Sequence, residues 1–330
     1  MPTMRAVTGT SLSEDGYAIE EQELPEPGAG QVRIRVKATA LSHADALVAF
    51  GRYQVRPQVP FVPGSEFSGV IDALGDEGTG SWQVGDRVSG RAFGGTLAEY
   101  AVVGTGQIRR LADGVDFVAG ARSRVDYATA LLALKDRAAL RAGEAVLVLG
   151  AAGGVGMAAV QLARHMGAFV IGAASTEAKR AAVLAAGADA AIDYRQEGWR
   201  DELRRVLGER PLGVVFDPVG GEAFEPAFRS LGWGGRHLVI GFASGTIGRL
   251  PANLPLLKGA ALVGVDVRQF GIFEPAAASA NEIVLDELLD SGAIRPLPGP
   301  TFAFADFTAA LTAAADGSGS GRVVVEIGNG

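Results

Sequence analysis

The stretch Val146–Gln161, VLVLGAAGGVGMAAVQ, runs from four apolar residues into four glycines within seven positions and then into an alanine-rich segment. Glycine loses more conformational entropy on folding than other residues, so a cluster of it directly after an apolar run needs a local reason. A buried strand that turns at Gly150–Gly153 into a helix starting near Gly154 supplies one, because this is the context of a dinucleotide-binding fingerprint. An incidental glycine-rich turn is the alternative.

The fingerprint has the form Ala-x-Gly-x-x-Gly, with alanine at its first position. Its glycines allow the backbone to approach a pyrophosphate, and the N–H groups and positive dipole end of the following helix attract that anion. The last glycine of the pattern would let the helix lie close to the sheet. We therefore predict that this turn binds the cofactor through Ala151, Gly153, Gly154, Val155 and Gly156.

Apolar runs of strand length alternate with helical patterns through the second part of the chain, at Ala145–Leu149, Phe169–Ala173, Ala190–Asp193, Val214–Asp217, His237–Ile240 and Ala261–Val265. Strands separated by helices imply right-handed crossovers and a parallel sheet. Before residue 123, short alternating runs such as Val32–Lys37 are separated by Pro and Gly turns, which indicates antiparallel β structure. The predicted fold class is α/β, with a doubly wound Rossmann sheet inserted into a mainly antiparallel β domain.

The far end of the chain returns to a β pattern at Gly321–Ile327, GRVVVEI, so we expect the N-terminal domain to receive a strand from it. The predicted domains are residues 1–122, the antiparallel domain; 123–266, the Rossmann domain; and 267–330, a return to the first domain. That return includes a covering amphipathic helix at Asn281–Ile294 and the final strand.

The composition is that of an ordinary soluble chain, with 330 residues, 48% of them hydrophobic and 20% charged, and a formal net charge of −7. No basic stripe is present, so we expect no nucleic-acid partner. No window is long and apolar enough to span a membrane, and the first residues lack a signal-peptide core, so we expect a cytoplasmic protein without a membrane partner. The absence of cysteine excludes disulfides, thiol nucleophiles and cysteine-ligated metals.

The cofactor predicted by the second strand is NADP, in its reduced form NADPH. An NAD site usually has Asp or Glu at the tip of that strand to bind the ribose hydroxyls, whereas this chain has Ala173-Ala174-Ser175-Thr176. Ser175 and Lys179 suit a 2′-phosphate, and Arg180 is a further candidate cation, although Glu177 in the same turn weakens the argument. The alternative is that Ser175 caps a helix and Lys179 belongs to a solvated helix face.

Several separated motifs occur in one order along the chain: PFVPGSEFSGVI, VGDRV, GGTLAEY, VLGAAGGVGMAAVQLARHMGA, VVFDPVGG and GRVVV. In these motifs the sequence resembles the medium-chain dehydrogenase/reductase superfamily, and specifically its zinc-free quinone oxidoreductase branch, from Met4 to Ile327. The resemblance implies a GroES-like catalytic domain, an inserted Rossmann domain and an active-site cleft between them. It also implies a homodimer joined through the edges of the Rossmann sheets.

Zinc-dependent members of that superfamily carry a Cys-x-Thr-Asp motif and a later Gly-His-Glu motif. The matching stretches here are Ser42-His43-Ala44-Asp45 and Gly64-Ser65-Glu66, so the thiol and imidazole ligands are replaced by serines. A tetrahedral site would need His43, Asp45 and Glu66 to converge without any thiolate. We predict no metal site.

Without a Lewis acid, alcohol oxidation is a poorer prediction than reduction of an acceptor with its own electron sink, a quinone or an α,β-unsaturated carbonyl. By resemblance, Tyr53 and Ser42 lie in the active site and Thr129 lies near the nicotinamide. Many relatives have Asn in place of Ser42 and an Asn-Tyr pair in place of Asp126-Tyr127. Ordinary structural roles are open for all of these residues, and His43 is either a proton relay or a structural histidine.

The resemblance implies further cofactor contacts. Tyr194 corresponds to a tyrosine that packs near the adenosine 2′-phosphate, and the backbone of Gly241, Phe242 and Ala243 would hold the carboxamide at the carboxyl edge of the sheet. Arg322 stands where relatives often have Lys, and either reaches a phosphate or is a solvated loop cation.

The small-molecule partner is predicted to be a quinone or enone. Two other functions stay open: an enoyl-thioester reductase, for which Arg52 and Arg56 offer only a thin basic rim, and a non-catalytic NADPH-bound binding or structural protein of the same fold.

Overall fold

The computed structural model describes residues 2–317 and 320–328. Its chain forms two compact units: Met1–Val125 with Pro296–Gly330, and Asp126–Arg295. The sequence predicted boundaries after residues 122 and 266, so the second boundary lies further along the chain than expected. Residues 267–295 group with the second unit, where Asn281 Oδ1 accepts a hydrogen bond from Lys135 Nζ at 2.9 Å and Asn281 Nδ2 donates to Asp136 Oδ2 at 2.6 Å.

The first unit is mainly β structure. Its elements are β1 (Thr3–Gly9), β2 (Tyr17–Glu23), β3 (Gln31–Leu41), α1 (His43–Ala49), β4 (Glu66–Leu74), β5 (Arg87–Arg91), β6 (Tyr100–Gly104), β7 (Ile108–Arg110) and α2 (Phe117–Ala121). The second unit contains α3 (Val125–Leu131), β8 (Ala145–Val148), α4 (Gly154–His165), β9 (Phe169–Ala173), α5 (Glu177–Ala185), β10 (Ala190–Ile192), α6 (Trp199–Leu207), β11 (Leu212–Asp217), α7 (Phe224–Ser230), β12 (Arg236–Val239), α8 (Asn253–Lys258), β13 (Ala261–Gly264), α9 (Val267–Phe273) and α10 (Pro275–Asp290). The chain then returns to the first unit with β14 (Thr301–Ala303), α11 (Phe307–Asp316) and β15 (Val323–Glu326).

The strand order confirms the predicted fold class. In the second unit six strands pair in the order β10-β9-β8-β11-β12-β13, all parallel. In the first unit a seven-stranded sheet has the order β14-β15-β3-β4-β5-β7, with β6 also paired to β3. The final strand β15 pairs antiparallel with β3, as expected from the β pattern at the end of the sequence.

The parallel sheet is held by apolar side chains on both faces, because crossover helices cover it. On one face Leu147, Ile171, Val215 and Phe228 form part of a continuous buried cluster. Every residue of β8 is buried, which explains why its sequence is an unbroken apolar run rather than an alternating one. This core fixes the sheet whose carboxyl edge carries the predicted cofactor residues.

Among residues 2–317 and 320–328, no helix combines the length and the apolar character that crossing a membrane requires.

Candidate cofactor-binding site

The predicted cofactor residues of the second unit follow the carboxyl ends of neighbouring parallel strands. Ala151–Gly156 follow β8, Ser175 and Lys179 follow β9, Tyr194 follows β10, and Gly241–Ala243 follow β12. Carboxyl ends of parallel strands share one edge of the sheet, and open α/β sheets bind ligands at that edge. The topology therefore brings these separated stretches of sequence to one side of the sheet.

The turn after β8 ends at the N-terminus of α4, with the exposed Gly153 as the N-cap residue. Within the part of the chain that the structure describes, a Cβ atom at Gly153 would meet only the carbonyl oxygen of Gly150, at 3.4 Å, so the space beside this residue is open there. The N–H groups in the first turn of a helix have no partner within the helix, and the dipole adds positive potential there. The turn is thus built to receive an anion, with Gly154 and Val155 half-buried at its rim.

Gly156 has a different role from Gly153. A Cβ atom at Gly156 would lie 2.7 Å from Ala151 Cα and would overlap the Gly150 carbonyl oxygen. The first turn of α4 therefore packs directly on the backbone of the turn that precedes it. Only a residue without a side chain permits this approach.

The tip of β9 carries Ser175, and the helix that follows is capped by its neighbour. The Thr176 hydroxyl accepts the N–H of Lys179 at 3.2 Å, so the alternative in which Ser175 caps α5 is wrong. Arg180 Nη1 donates to Asp193 Oδ2 at 2.9 Å and to the Ala174 carbonyl at 3.1 Å. Arg180 is consequently committed to the strand tips, which contradicts its role as a candidate cation for the 2′-phosphate.

Tyr194 follows β10 and packs half-buried against the apolar cluster of the second unit. Burial raises the pKa of its phenol above the ordinary value of 10.0. Its position directly after β10 places this residue at the carboxyl edge of the sheet.

The loops after β11 and β12 are bonded to each other. The N–H of Ala243 donates to the Pro218 carbonyl at 3.0 Å, and the N–H of Ser244 donates to the Val219 carbonyl at 3.0 Å. The N–H of Gly221 reaches the carbonyl of Thr246 at 3.0 Å. These bonds fix the backbone of the Gly241–Ala243 stretch predicted to hold the carboxamide.

Asp217, the last residue of β11, organises both loops and was not singled out from the sequence. Its Oδ1 accepts the N–H groups of Val219 and Gly220, each at 2.8 Å. Its Oδ2 lies 2.9 Å from Nε2 of His237, a fully buried residue of β12. The available signal was an aspartate at the end of an apolar strand, directly before Pro-Val-Gly-Gly.

Helix α3 carries Thr129 and Tyr127. Thr129 is half-buried on this helix. The hydroxyl of the buried Tyr127 donates to the Arg295 carbonyl at 2.9 Å and lies 3.2 Å from Gln161 Oε1. Gln161 also receives the N–H of Arg295 at 2.9 Å, so Tyr127 belongs to a hydrogen-bonded network that holds the last residue of the second unit.

Ser42, a predicted catalytic residue in the first unit, is the N-cap of α1. Its hydroxyl accepts the N–H of Asp45 at 3.0 Å and donates to Asp45 Oδ2 at 2.5 Å, while its own N–H also donates to Asp45 Oδ2 at 2.7 Å. A serine hydroxyl has one proton, and here Asp45 holds it. In this arrangement Ser42 cannot also donate a hydrogen bond to a substrate carbonyl.

His43 and Tyr53, two further polar residues in and after α1, differ in their surroundings. Nδ1 of His43 lies 2.9 Å from the carbonyl oxygen of Ala315, so the ring is fixed by α11. Tyr53 lies half-buried in the loop that follows α1.

Arg322 is neither a solvated loop cation nor an exposed phosphate ligand in this structure. It is 6% exposed, and its Nη2 lies 3.1 Å from Glu66 Oε2 and 3.9 Å from Asp45 Oδ2. Glu66 is fully buried, and its Oε1 also accepts the N–H of Val125 at 3.0 Å. The structure thus contradicts both interpretations of Arg322, because this residue belongs to a buried ion cluster. The reason lies in the fold: β15 pairs with β3, which is itself paired to the strand that begins at Glu66.

Comparisons with known proteins agree with this architecture. Residues 28–113 match the family described as "Alcohol dehydrogenase GroES-like domain", and residues 154–282 match "Zinc-binding dehydrogenase". "Quinone oxidoreductase-like protein 2" of Rattus norvegicus is 32% identical over 329 residues, which are 98% of this chain and 92% of that protein. The chain belongs to the medium-chain dehydrogenase/reductase superfamily. Its relatives place it in the quinone oxidoreductase-like branch.

Two solved structures of this superfamily match over nearly the whole chain. A probable oxidoreductase from Mycobacterium abscessus has a TM-score of 0.89 and 34% identity and covers 99% of each chain. The quinone oxidoreductase of Thermus thermophilus, solved also in its complex with NADPH, has a TM-score of 0.81 and 34% identity over 98% of this chain and 100% of that one.

The name of one matching family implies zinc, and the residues present do not fit it. At the positions that correspond to the zinc ligands, this chain has Ser42 and Ser65, and the Ser42 hydroxyl is bonded to Asp45. The carboxylates of Asp45 and Glu66 face the Arg322 guanidinium, which already supplies a positive charge at that place. Within the described residues no group of three or more His, Cys, Asp or Glu side chains is arranged to hold a metal ion.

Proposed function

We propose that this protein is a zinc-independent, NADPH-dependent reductase that transfers hydride to a quinone or an α,β-unsaturated carbonyl. The observation that carries the proposal is the open N-terminal turn of α4 beside a β9 tip that has Ser175 and Lys179 in place of an acid. Such a pair of features suits a pyrophosphate and a 2′-phosphate. The NADPH complex of the Thermus thermophilus relative supports the same cofactor.

Different residues at the carboxyl edge of the sheet would bind different parts of the cofactor. The backbone N–H groups at the start of α4 bind the pyrophosphate, and Lys179 with Ser175 binds the 2′-phosphate. Tyr194 packs beside the adenosine. The backbone of Gly241–Ala243, fixed by its bonds to the loop after β11, holds the carboxamide.

NADPH supplies a hydride when it is bound, and the acceptor then needs one further proton. Tyr53 is the proposed hydrogen-bond donor to the acceptor oxygen, since a phenol both polarises a carbonyl and can pass on a proton. Thr129 is proposed to lie beside the nicotinamide. Ser42 is not given a donor role, because Asp45 holds its only hydroxyl proton.

Cofactor preference is tested by calorimetric titration of the parent protein, Lys179→Ala and Lys135→Ala with NADPH and NADH. We expect the parent to prefer NADPH. Lys179→Ala should weaken NADPH binding by about 1–3 kcal/mol, the range for a hydrogen bond to a charged group, and leave NADH binding nearly unchanged. Lys135→Ala removes a lysine that bonds Asn281 and should change neither value. A parent protein that prefers NADH would contradict the assignment.

Acceptor class is tested with a panel of quinones, enones and enoyl thioesters, by following NADPH consumption after dialysis against a strong chelator. We expect the protein to turn over quinones or enones. We also expect dialysis against the chelator to leave that turnover unchanged. Tyr53→Phe should lower kcat about ten-fold or more while the Kd for NADPH stays the same. Turnover of enoyl thioesters alone would support the thioester reductase, and NADPH binding without any turnover would support the non-catalytic protein.

A further inference from the structure

The strand β12 carries a histidine in the apolar interior of the second unit. His237 is fully buried, and its ring centroid lies 4.6 Å from that of Phe224 and 6.0 Å from that of Phe228. Parallel strands that are covered by helices normally have apolar side chains at such positions. A polar ring there has to be paired, because burial of an unpaired polar group costs free energy.

The His237 ring is paired with Asp217. Its Nε2 lies 2.9 Å from Asp217 Oδ2, whereas no group among residues 2–317 and 320–328 bonds its buried Nδ1. A buried nitrogen without a partner costs free energy that an apolar side chain would not. The histidine is therefore an expensive residue for the core, and its bond to Asp217 indicates a function beyond packing.

Asp217 in turn bonds both loops at the carboxyl edge of the sheet. Its Oδ1 accepts two backbone N–H groups of the loop after β11, each at 2.8 Å, and its main-chain carbonyl accepts the N–H of Ile240 at 2.9 Å. The first residue of the loop after β11, Pro218, accepts the N–H of Ala243 at 3.0 Å. A continuous series of hydrogen bonds thus joins the His237 ring to the backbone that is proposed to hold the carboxamide.

We propose that His237 is a positioning residue for the nicotinamide, which acts through Asp217 on the backbone of Gly241–Ala243. The inference rests on the proposed function, because it needs the carboxamide at this stretch. The ring packs against two phenylalanines and so holds the Asp217 carboxyl group in one orientation, whichever of the two bonded atoms carries the proton. Loops that are fixed before the cofactor binds lose less conformational entropy when they bind it.

This role predicts an effect on one end of the cofactor only. Loosening the Gly241–Ala243 backbone should weaken ligands that carry a nicotinamide carboxamide. The nicotinamide-free ligand 2′-phospho-ADP-ribose should bind as before, since its proposed contacts lie at the start of α4 and the tip of β9. A histidine that only stabilises the fold would leave the ratio of the two Kd values unchanged.

The test is calorimetric titration of the parent protein, His237→Met and His237→Gln with NADPH and 2′-phospho-ADP-ribose. Methionine cannot form the bond, so His237→Met should raise the Kd for NADPH on the order of ten-fold, about the effect of one lost hydrogen bond. The Kd for 2′-phospho-ADP-ribose should stay within about two-fold, because its contacts are elsewhere. Glutamine can place an amide group near the position of Nε2, so His237→Gln should restore the parent ratio of the two Kd values.

Leu203→Ala is the matched control for a loss of stability. Leu203 is fully buried in the apolar cluster that also contains Phe228. Its truncation leaves a cavity in the core, so it should lower the melting temperature without changing the ratio of the two Kd values.

A double variant keeps the test decisive if His237→Met does not fold. That single substitution leaves the buried Asp217 short of one partner, whereas Asp217→Ala combined with His237→Met removes both members of the pair. The double variant should raise the Kd for NADPH at least about ten-fold as well, because the loop after β11 has lost its anchor.

The outcomes separate this inference from the proposed function. If the parent protein binds NADPH and the variants that lack the bond keep the parent ratio, the positioning role is wrong and the cofactor assignment stands. The same holds if His237→Gln has the effect of His237→Met, because the hydrogen bond would then not be the cause. If the parent protein binds no NADPH, both the proposed function and this inference are wrong.

Discussion

Gly153 and Gly156 are three positions apart in one turn, yet a side chain would meet different surroundings at each. Among residues 2–317 and 320–328, the Gly150 carbonyl oxygen alone lies within 4 Å of a Cβ added at Gly153, whereas at Gly156 the backbone of Ala151 occupies the space. The backbone of Gly153, at φ −76° and ψ 169°, is also one that any residue adopts. Substitutions at the two glycines should therefore have different effects on NADPH binding and on stability.

Gly153→Val should lose NADPH binding and keep its fold. The added side chain fills the open space where the pyrophosphate is proposed to bind, so the Kd should rise at least about ten-fold, while far-UV circular dichroism and the melting temperature stay unchanged. Gly156→Val should lower the melting temperature as well, because overpacking a close contact typically costs about 1–3 kcal/mol. If Gly153→Val binds NADPH as tightly as the parent, the glycine turn does not bind the pyrophosphate.

Single residues also show what a sequence can and cannot predict. The glycine fingerprint follows from local spacing, so its turn and helix start were predictable. Ser175 and Thr176 are both good capping residues, and only the backbone conformation selects Thr176. Arg322 is paired with Glu66 and Asp45, which are more than 250 positions away in the chain. No local sequence pattern predicts a pair of this kind.

At the scale of elements, the strands of the parallel sheet were predictable because buried strands give unbroken apolar runs between helical patterns. The predicted runs that begin at residues 145, 169, 190, 214, 237 and 261 all overlap strands of the sheet. The assignment of α10 to the second unit was not predictable in the same way. Its attachment to the second unit depends on Asn281 meeting Lys135 and Asp136, which is a tertiary contact between polar side chains.

An ion pair ties the start of β12 to the residue that precedes β8, across the intervening strand β11. Arg236 bonds both carboxylate oxygens of Glu144, at 2.7 and 3.0 Å, and the N–H of Arg141 adds a bond to Glu144 at 2.8 Å. The hydrogen bond from Arg236 is the main cause that lowers the pKa of Glu144 below its ordinary value. Because the folded-state pKa is lowered, the stabilisation is present above the unfolded pKa of about 4.3 and is lost as the pH falls through the folded value.

We therefore expect the stability difference between the parent protein and Glu144→Gln to depend on pH. At pH 7 the variant should be less stable by about 1–3 kcal/mol, and the difference should shrink as the pH falls below about 4. Chemical denaturation at several pH values measures this difference in the free energy of unfolding. Glu225→Gln is the control, because its pair with Arg229 is exposed and should contribute less than about 1 kcal/mol at any pH. A difference for Glu144→Gln that stays constant from pH 3 to 7 would mean that the carboxylate charge does not stabilise the sheet.

At the scale of the whole molecule, the parallel sheet ends at a strand whose outer side is not paired within the described residues. β13 is the last strand in the sheet order, and none of the described strands pairs with its outer side. Apolar side chains are exposed on it and on the helix before it, with Leu262 at 45% and Leu256 at 79%. An unpaired apolar edge strand is a template for another strand, and soluble proteins normally cover it.

We propose that a second copy of the chain covers this edge, with two β13 strands pairing about a two-fold axis. In such an interface each residue near the axis meets its own counterpart, so a charge placed there is opposed by the same charge. Leu262→Glu should therefore give a monomer of 33.9 kDa in sedimentation velocity, where the parent protein should sediment with twice that mass. Leu184→Glu makes the same change at a leucine of α5 with a similar exposure of 47%, and should leave the dimer intact. NADPH binding by the Leu262→Glu monomer would show that its fold is preserved, and a parent protein that sediments as a monomer would contradict the proposed pairing.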